Sequence, residues 1–445
     1  MTAIAIGTVL AGLCALVLTL WKAPRELLLP LAIYNLFYVV TSAIGATVIV
    51  FPEVRAAWML FLPSMNASWL APGESARYWV LLWGPLVVVN AVALTSLPWL
   101  RRPAVVTALW LRVRPDLLSC WMVGLGLVGY CLINLALKGF LGVTLFSVNS
   151  EGAYVYRENV LLRTEMAPVL GELHYAFIYM TIPAVCIVAL QRAVTLRSAG
   201  WWWLFGCLSA MLAFLYSTTL TKGNLIVFGI AVVAAARFLR LIGGRGLLLA
   251  MAGGLCVLVV QELLLSGTGV LGFGVTIANV IFRLASGIPF YLEIFPAQVN
   301  FVGPDFGLAM LGIEPAAYPN LIVGNIMFPK DTWVQSFVPA PDHIMAYAQW
   351  GIPWSLLTMA ATGVMAAAAG ALGRVAHSPL SFSAFIGACI ACYNFTQADF
   401  IGAFNLSYGY KWWFVGVMLI GGVQRILSLA THGAVATPVP STSSI

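Results

Sequence analysis

Charge is what this chain has least of. Asp, Glu, Lys and Arg make up 8% of its 445 residues, where a soluble domain carries about 25%. Apolar residues make up 62%, and the mean hydropathy is +0.97. This excludes a soluble enzyme with a single anchor and predicts an integral membrane protein. Metal-binding patterns are also missing. No His pair or carboxylate cluster has ligand spacing, so neither a metal nor another cofactor is expected. The eight cysteines form no disulfide framework. Cys389 and Cys392 have redox-like spacing, but they fall in an apolar run where a small residue serves helix packing. No internal repeat is visible. Thr2–Leu20 lacks a basic leader, and Trp21-Lys22 follows it in place of a small-residue cleavage site. It reads as a retained first helix.

What is present is a series of apolar segments at 2–20, 27–51, 78–99, 116–137, 171–190, 200–217, 224–241, 246–266, 343–372, 380–398 and 404–424. Each is roughly of membrane length. The expected fold is therefore an all-α polytopic bundle of about eleven transmembrane helices. The long segment 343–372 is expected to begin outside the bilayer or to tilt. Alternate connections collect Lys22, Arg25, Arg101, Arg102, Arg112, Arg114, Arg192, Arg197, Arg237, Arg240, Arg245, Arg374 and Arg425 with only two acids, Glu26 and Asp116. The other connections hold nine bases and thirteen acids. The two sides carry +11 and −4, which together make the formal net charge of +7. The positive-inside rule then places the N-terminus outside and the C-terminus in the cytoplasm. The basic excess has a topological origin, so no nucleic-acid partner is expected. Ala104–Arg114 is apolar, basic and too short to span, which suits the inner membrane surface. Trp201–Trp203 and Trp412-Trp413 fall at span ends and read as interface anchors. Residues 1–429 form one bundle. Residues 430–445, small, polar and Pro-containing, read as a disordered cytoplasmic tail.

The outer connections, about 52–77, 138–170 and 267–342, carry the candidate chemistry. The second holds Arg157 and Arg163 beside Tyr154 and Tyr156. Aromatic rings stack on sugar faces and Arg grips phosphate, although a solvated loop with interface aromatics has the same composition. The third is the longest and holds Arg283, Glu293, Asp305, Glu314, Lys330 and Asp331. Within it Val275–Phe295 has helical spacing and can lie along the membrane or re-enter it. Arg283 sits amid that apolar run, where a cation needs an acidic partner or an anionic ligand. The turn Thr218–Gly223 places Lys222 and hydroxyls before a span, which suits an anion or simple snorkelling of Lys222. Pro339-Ala-Pro-Asp342-His343 opens the next span. His343 can take a proton from a hydroxyl near neutral pH, and Asp342 can tune it, although helix neighbours do not normally face each other.

Thr221-Lys222-Gly223, Arg283 and Asp342-His343-Ile-Met-Ala-Tyr-Ala-Gln-Trp-Gly351, in this order among apolar spans, resemble motifs of the bacterial O-antigen polymerase and O-antigen ligase superfamily. The likeness covers most of the chain as architecture, on short motifs. Lys222 stands where the family has Arg, Ile344 where ligases favour a polar residue, and Trp354 where a small residue follows the Gly. The His-to-Gly spacing is also a few residues short of the ligase pattern. These departures favour the polymerase. The resemblance implies a GT-C-like glycosyltransferase in the bacterial inner membrane, with its active site facing the periplasm or exterior. Undecaprenyl-pyrophosphate-linked oligosaccharide would be both donor and acceptor. A membrane protein that regulates chain length is a further partner it suggests. Arg283 and His343 would be catalytic. Lys222, Arg157, Arg163 and Asp342 would hold substrate or pyrophosphate. A ligase that transfers glycan to lipid A core is the near alternative. A transporter or flippase is the distant one, set against the lack of an acidic pair in the expected spans.

Overall fold

The computed structural model describes residues 2–54, 56, 75–100, 113–137, 173–218, 222–243, 245–246, 249, 253, 285–303, 318–327, 338–398, 400, 402–405 and 409–435. Among them every regular element is a helix. Eight helices are long and apolar enough to cross a membrane, which makes this a multi-pass membrane protein.

In chain order the helices are α1 (Thr2–Lys22), α2 (Arg25–Val48), α3 (Ala76–Leu100), α4 (Leu117–Leu137), α5 (Leu173–Leu196), α6 (Ala199–Thr218), α7 (Lys222–Phe238), α8 (Gly287–Ile294), α9 (Pro319–Met327), α10 (Asp342–Arg374), α11 (Pro379–Asn394), α12 (Gly402–Asn405) and α13 (Tyr410–Val435). Ten of them fall on expected spans. The expected span 246–266 lies almost wholly outside the described residues. The helix α13 runs past the boundary at Leu429. Wide π-type turns interrupt α2 at Val39–Ala43 and α5 at Phe177–Thr181.

The helices pack as two units. One core joins α1, α2, α3, α8, α9 and α10 around Tyr38, Trp83, Leu86, Tyr291, Phe295 and Tyr347. The other joins α4, α5, α6, α7, α11 and α13 around Ile187, Leu208, Leu212, Phe385 and Trp413. Lipid is as apolar as Leu, so close fit and internal hydrogen bonds hold such helices together. Asn35 of α2 and Asn90 of α3 exchange two amide bonds of 2.8 and 2.9 Å in the interior. Gly363 of α10 lies so close to α3 that a Cβ there would stand 2.7 Å from the Val89 carbonyl oxygen.

Two expectations need correction. Trp202 and Trp203 are exposed, as anchors should be, but Trp201 and Trp413 are turned inward. Trp413 donates its indole N–H to the Ser383 carbonyl at 2.8 Å, so it is a core residue of α13. Of the helix expected over Val275–Phe295, the described part is α8, buried except at Glu293, whereas 296–298 after it are exposed. The larger correction is α10, which is not one long span. Thr362 donates a hydrogen bond to the carboxylate of Asp342, twenty residues earlier, and a straight helix would hold them about 30 Å apart. The chain reverses at Trp350 (φ −145°, ψ 21°) and Gly351 (φ 74°, ψ −158°). Segment α10 is thus a hairpin of helices. Its incoming limb is about 12 Å long, and its outgoing limb, from Ile352, is long enough to span at about 34 Å. Gly351 is required because its backbone is left-handed and a Cβ would lie 3.1 Å from Phe301. The backbone N–H groups of Val302 and Gly303 bond the carbonyls of Ala348 and Gln349 at 3.1 Å each, which caps the incoming limb.

Candidate functional site

The hairpin sets the position of Asp342 and His343. Pro339 and Pro341 keep the chain extended up to the start of α10. The Tyr291 hydroxyl holds the Val338 carbonyl at 2.7 Å, and the Asp342 N–H donates to the Phe395 carbonyl beyond α11 at 3.0 Å. As a result Asp342 and His343 do not stand at a solvent-facing mouth. Their exposures are 1% and 0%.

Asp342 Oδ1 accepts the backbone N–H of His343 at 2.7 Å and faces His343 Nδ1 at 3.2 Å. The two side chains meet although they are neighbours. Asp342 is the first residue of the helix, and its carboxylate folds back onto the His343 N–H at the helix N-terminus, where a negative charge is favoured. Oδ2 accepts from Thr362. His343 Nε2 lies 3.0 Å from the Leu81 carbonyl of α3 and 3.4 Å from the Tyr38 hydroxyl of α2. Tyr38 gives its own proton to the Leu82 carbonyl at 2.5 Å. Its ring meets the imidazole edge-on at 5.5 Å. Tyr34 stacks on Tyr38 at 5.8 Å, and its buried hydroxyl has no hydrogen-bond partner among the described residues. Each ring nitrogen of His343 therefore faces an oxygen. The knot joins α2, α3 and both limbs of α10.

Arg77, the second residue of α3, lies at the same end of the bundle. It donates to the Leu292 carbonyl of α8 at 2.8 Å, and its guanidinium sits 5.5 Å from the centre of the Tyr347 ring. Its Nε is buried without a hydrogen-bond partner among the described residues. Glu293 acts electrostatically on Tyr78 and Tyr347, whose side chains flank it. Sequence reasoning passed over Arg77, Tyr38 and Thr362. Arg77 opens an apolar run and can be found by that signal. Tyr38 and Thr362 have none, because hydroxyls inside spans usually bond their own helix.

Of the other sequence candidates, Lys222 is the first residue of α7, so it does stand at a helix N-terminus. Its helix belongs to the second packing unit. The Thr218 hydroxyl, before it, bonds back to the Leu215 carbonyl at 2.7 Å. The side chain of Lys222 lies outside the described residues, as do Arg157, Arg163 and Arg283. Among the described residues no group of three or more His, Cys, Asp or Glu could hold a metal ion. Cys389 and Cys392 are buried free thiols within α11. Compared with known proteins, the chain matches no family model, no curated protein and no solved structure.

Proposed function

We propose that the chain is a glycosyltransferase that polymerises undecaprenyl-pyrophosphate-linked oligosaccharide repeat units on the outer face of the bacterial inner membrane. The observation that carries this reading is the buried Asp342–His343 pair on a helix turned back into the bundle. Ionisable side chains such as Asp and His are expensive inside a membrane protein, and such groups mark function there. The pair and the half-buried Arg77 sit within one turn of α10 of each other, through Tyr347.

In the proposed reaction the acceptor hydroxyl oxygen forms the new bond to the anomeric carbon of the donor. The bond from that carbon to the pyrophosphate oxygen breaks, and undecaprenyl pyrophosphate leaves with the electron pair. Arg283 and Lys222 stabilise the charge that develops on it, and Arg157 and Arg163 hold glycan or phosphate. His343 orients the acceptor or takes its proton, while Asp342 orients His343. To take a proton, Nε2 must exchange its contact with the Leu81 carbonyl for one with the acceptor. The glycan product is O-antigen, capsule or exopolysaccharide. Deleting the gene and separating the surface polysaccharide on a gel tests this. Polymerase predicts a single-repeat glycolipid without its ladder, restored by wild type and not by Arg283→Ala. Bare core with long glycan left on the lipid carrier would mean the ligase. An unchanged ladder in a strain with no redundant enzyme would sink both.

One observation favours a second reading. Half-helices with a buried acid are used by ion-coupled transporters, and Asp342 supplies the interior acid that the sequence had not suggested. Substrate uptake into proteoliposomes only under an ion gradient would support the transporter. Elongation without a gradient would support the enzyme.

A further inference from the structure

Thr362 lies on the buried face of the outgoing limb of α10. It is fully buried, its χ1 is stiffened by β-branching, and the next residue, Gly363, is pressed against the Val89 carbonyl of α3. Its hydroxyl donates to Asp342 Oδ2 across the hairpin. A carboxylate with one oxygen free can turn about its Cβ–Cγ bond, and one with both oxygens held cannot. With Oδ2 taken by Thr362, Oδ1 stays against the backbone N–H and Nδ1 of His343.

We propose that Thr362 is a positioning residue for His343 that acts through Asp342. This rests on the glycosyltransferase reading, in which His343 Nε2 receives the acceptor proton. At rest Nε2 faces two acceptors, the Leu81 carbonyl and the Tyr38 oxygen, whose own proton goes to Leu82; once the acceptor hydroxyl replaces them, an Oδ1 fixed beside Nδ1 holds the ring proton on Nδ1 and leaves the lone pair on Nε2. Thr362 thereby sets the tautomer that a base requires. Among the described residues, few titratable groups face the pair. Tyr34 and Tyr38 come from α2, Tyr78 from α3 acts through Tyr38, and Cys392 from α11 lies beside Tyr34. Tyr291 from α8 bonds Met345 at 3.1 Å, one turn away. Glu293 and Arg77 stand at Tyr347, beyond it.

The test uses the full chain in phosphatidylcholine proteoliposomes, with undecaprenyl-pyrophosphate-linked single repeats extracted from the deletion strain as probe. Elongation is measured across the range in which a His titrates, about pH 5 to 8. Thr362→Val should lower kcat about tenfold to a hundredfold, as loss of an orienting partner does. It should leave KM within about twofold and shift the acid limb of the pH profile. Thr362→Ser should restore both. Selective 15N labelling of the four histidines, with His343→Gln assigning the signal, reads the tautomer directly. With the lipid-linked repeat bound, wild type should show the proton on Nδ1 of the neutral ring, and Thr362→Val a mixture of the two tautomers. A wild-type neutral ring still protonated at Nε2 with the repeat bound would overturn the proposal without any variant. So would Thr362→Val with wild-type kcat and pH profile. A Thr362-dependent Nδ1 tautomer in a chain that elongates no glycan would keep the orienting contact and overturn the glycosyltransferase reading.

Discussion

The two limbs of α10 belong to one run of sequence and differ in what surrounds them. Every residue of the incoming limb, Asp342–Gln349, is buried. The outgoing limb exposes Ile352, Leu356, Leu357 and Val364 on one side and buries Ser355, Thr358, Thr362, Gly363 and Ala366 on the other. The second is an ordinary membrane helix with an apolar face for lipid and a small-residue face for its neighbours. The first is withdrawn from lipid on all sides, and only there does the chain place Asp, His, Tyr and Gln together. Polar density in an apolar bundle requires shelter from lipid. Shelter here requires a reversal of the chain, and the reversal requires Gly351.

If that contrast is right, polar changes should dominate in the incoming limb and size changes in the outgoing one. Asp342→Ala strips the partner from His343 and Thr362 at once. Breaking a buried pair in this way costs about 3–5 kcal/mol, and the thermal unfolding temperature in nanodiscs should fall most for this variant. An unchanged midpoint would mean that the knot does not hold the limb. His343→Gln keeps one hydrogen bond and should cost about 1–3 kcal/mol. At the reversal, Gly351→Ala forces a side chain into a left-handed backbone and should cost about 1–3 kcal/mol. Gly363→Ala should cost a similar amount through overpacking against Val89, about 1–3 kcal/mol, although no polar group is touched.

The sequence shows the helices more readily than it shows the hairpin. Apolar runs of membrane length are visible because each span must satisfy its backbone internally. Ten of the expected segments are helices, with α11 shorter than its apolar run suggested. The reversal is hidden because Ala-Gln-Trp-Gly-Ile-Pro reads as apolar continuation. The signal was Gly351 with Pro353 two residues on, a pair that ends helices more often than it decorates them. Asp342 and His343 were legible as candidates because ionisable residues are rare here. Their burial was not, because it comes from α2, α3 and α11 packing around them. Thr362 and Tyr38 carry no local mark, since only the fold brings them to the pair.

Arg77 and Arg192 sharpen the comparison at a smaller scale. Each donates to a backbone carbonyl, at 2.8 Å to Leu292 and 3.0 Å to Pro115. Each lies over an aromatic ring, at 5.5 Å from Tyr347 and 5.4 Å from Trp201. Each keeps a buried Nε without a hydrogen-bond partner among the described residues. Replacement by Ala should therefore cost the two sites equal stability, about 1 kcal/mol. Only Arg77 shares its ring, Tyr347, with the limb that bears His343. Elongation should fall in Arg77→Ala and hold in Arg192→Ala at equal membrane levels. Equal losses would mean that activity merely follows stability.

The smallest effect is expected at the start of α4, far in sequence from the hairpin. The Asp116 N–H donates to Gln424 Oε1 at 2.7 Å, and its Oδ1 accepts the Ser119 N–H at 2.6 Å, which caps the helix and ties it to α13. Burial alone pushes the Asp116 carboxyl up, but hydrogen bonds from Ser119 and Gln424 outweigh it and hold the carboxyl below its usual range. A carboxyl depressed in the folded state adds stability that is complete above its unfolded value, about pH 3.9. That stability is lost as pH falls through the lower folded value. Asp116 is exposed, so solvent screens the gain. Asp116→Ala should cost about 1 kcal/mol near neutral pH, as loss of a cap does, whereas Asp116→Asn keeps a capping oxygen and should cost less. The gap between wild type and Asp116→Asn should close on acidification below about pH 4, because protonation removes the charge that separates them. A gap that persists there would assign the effect to side-chain geometry and not to charge.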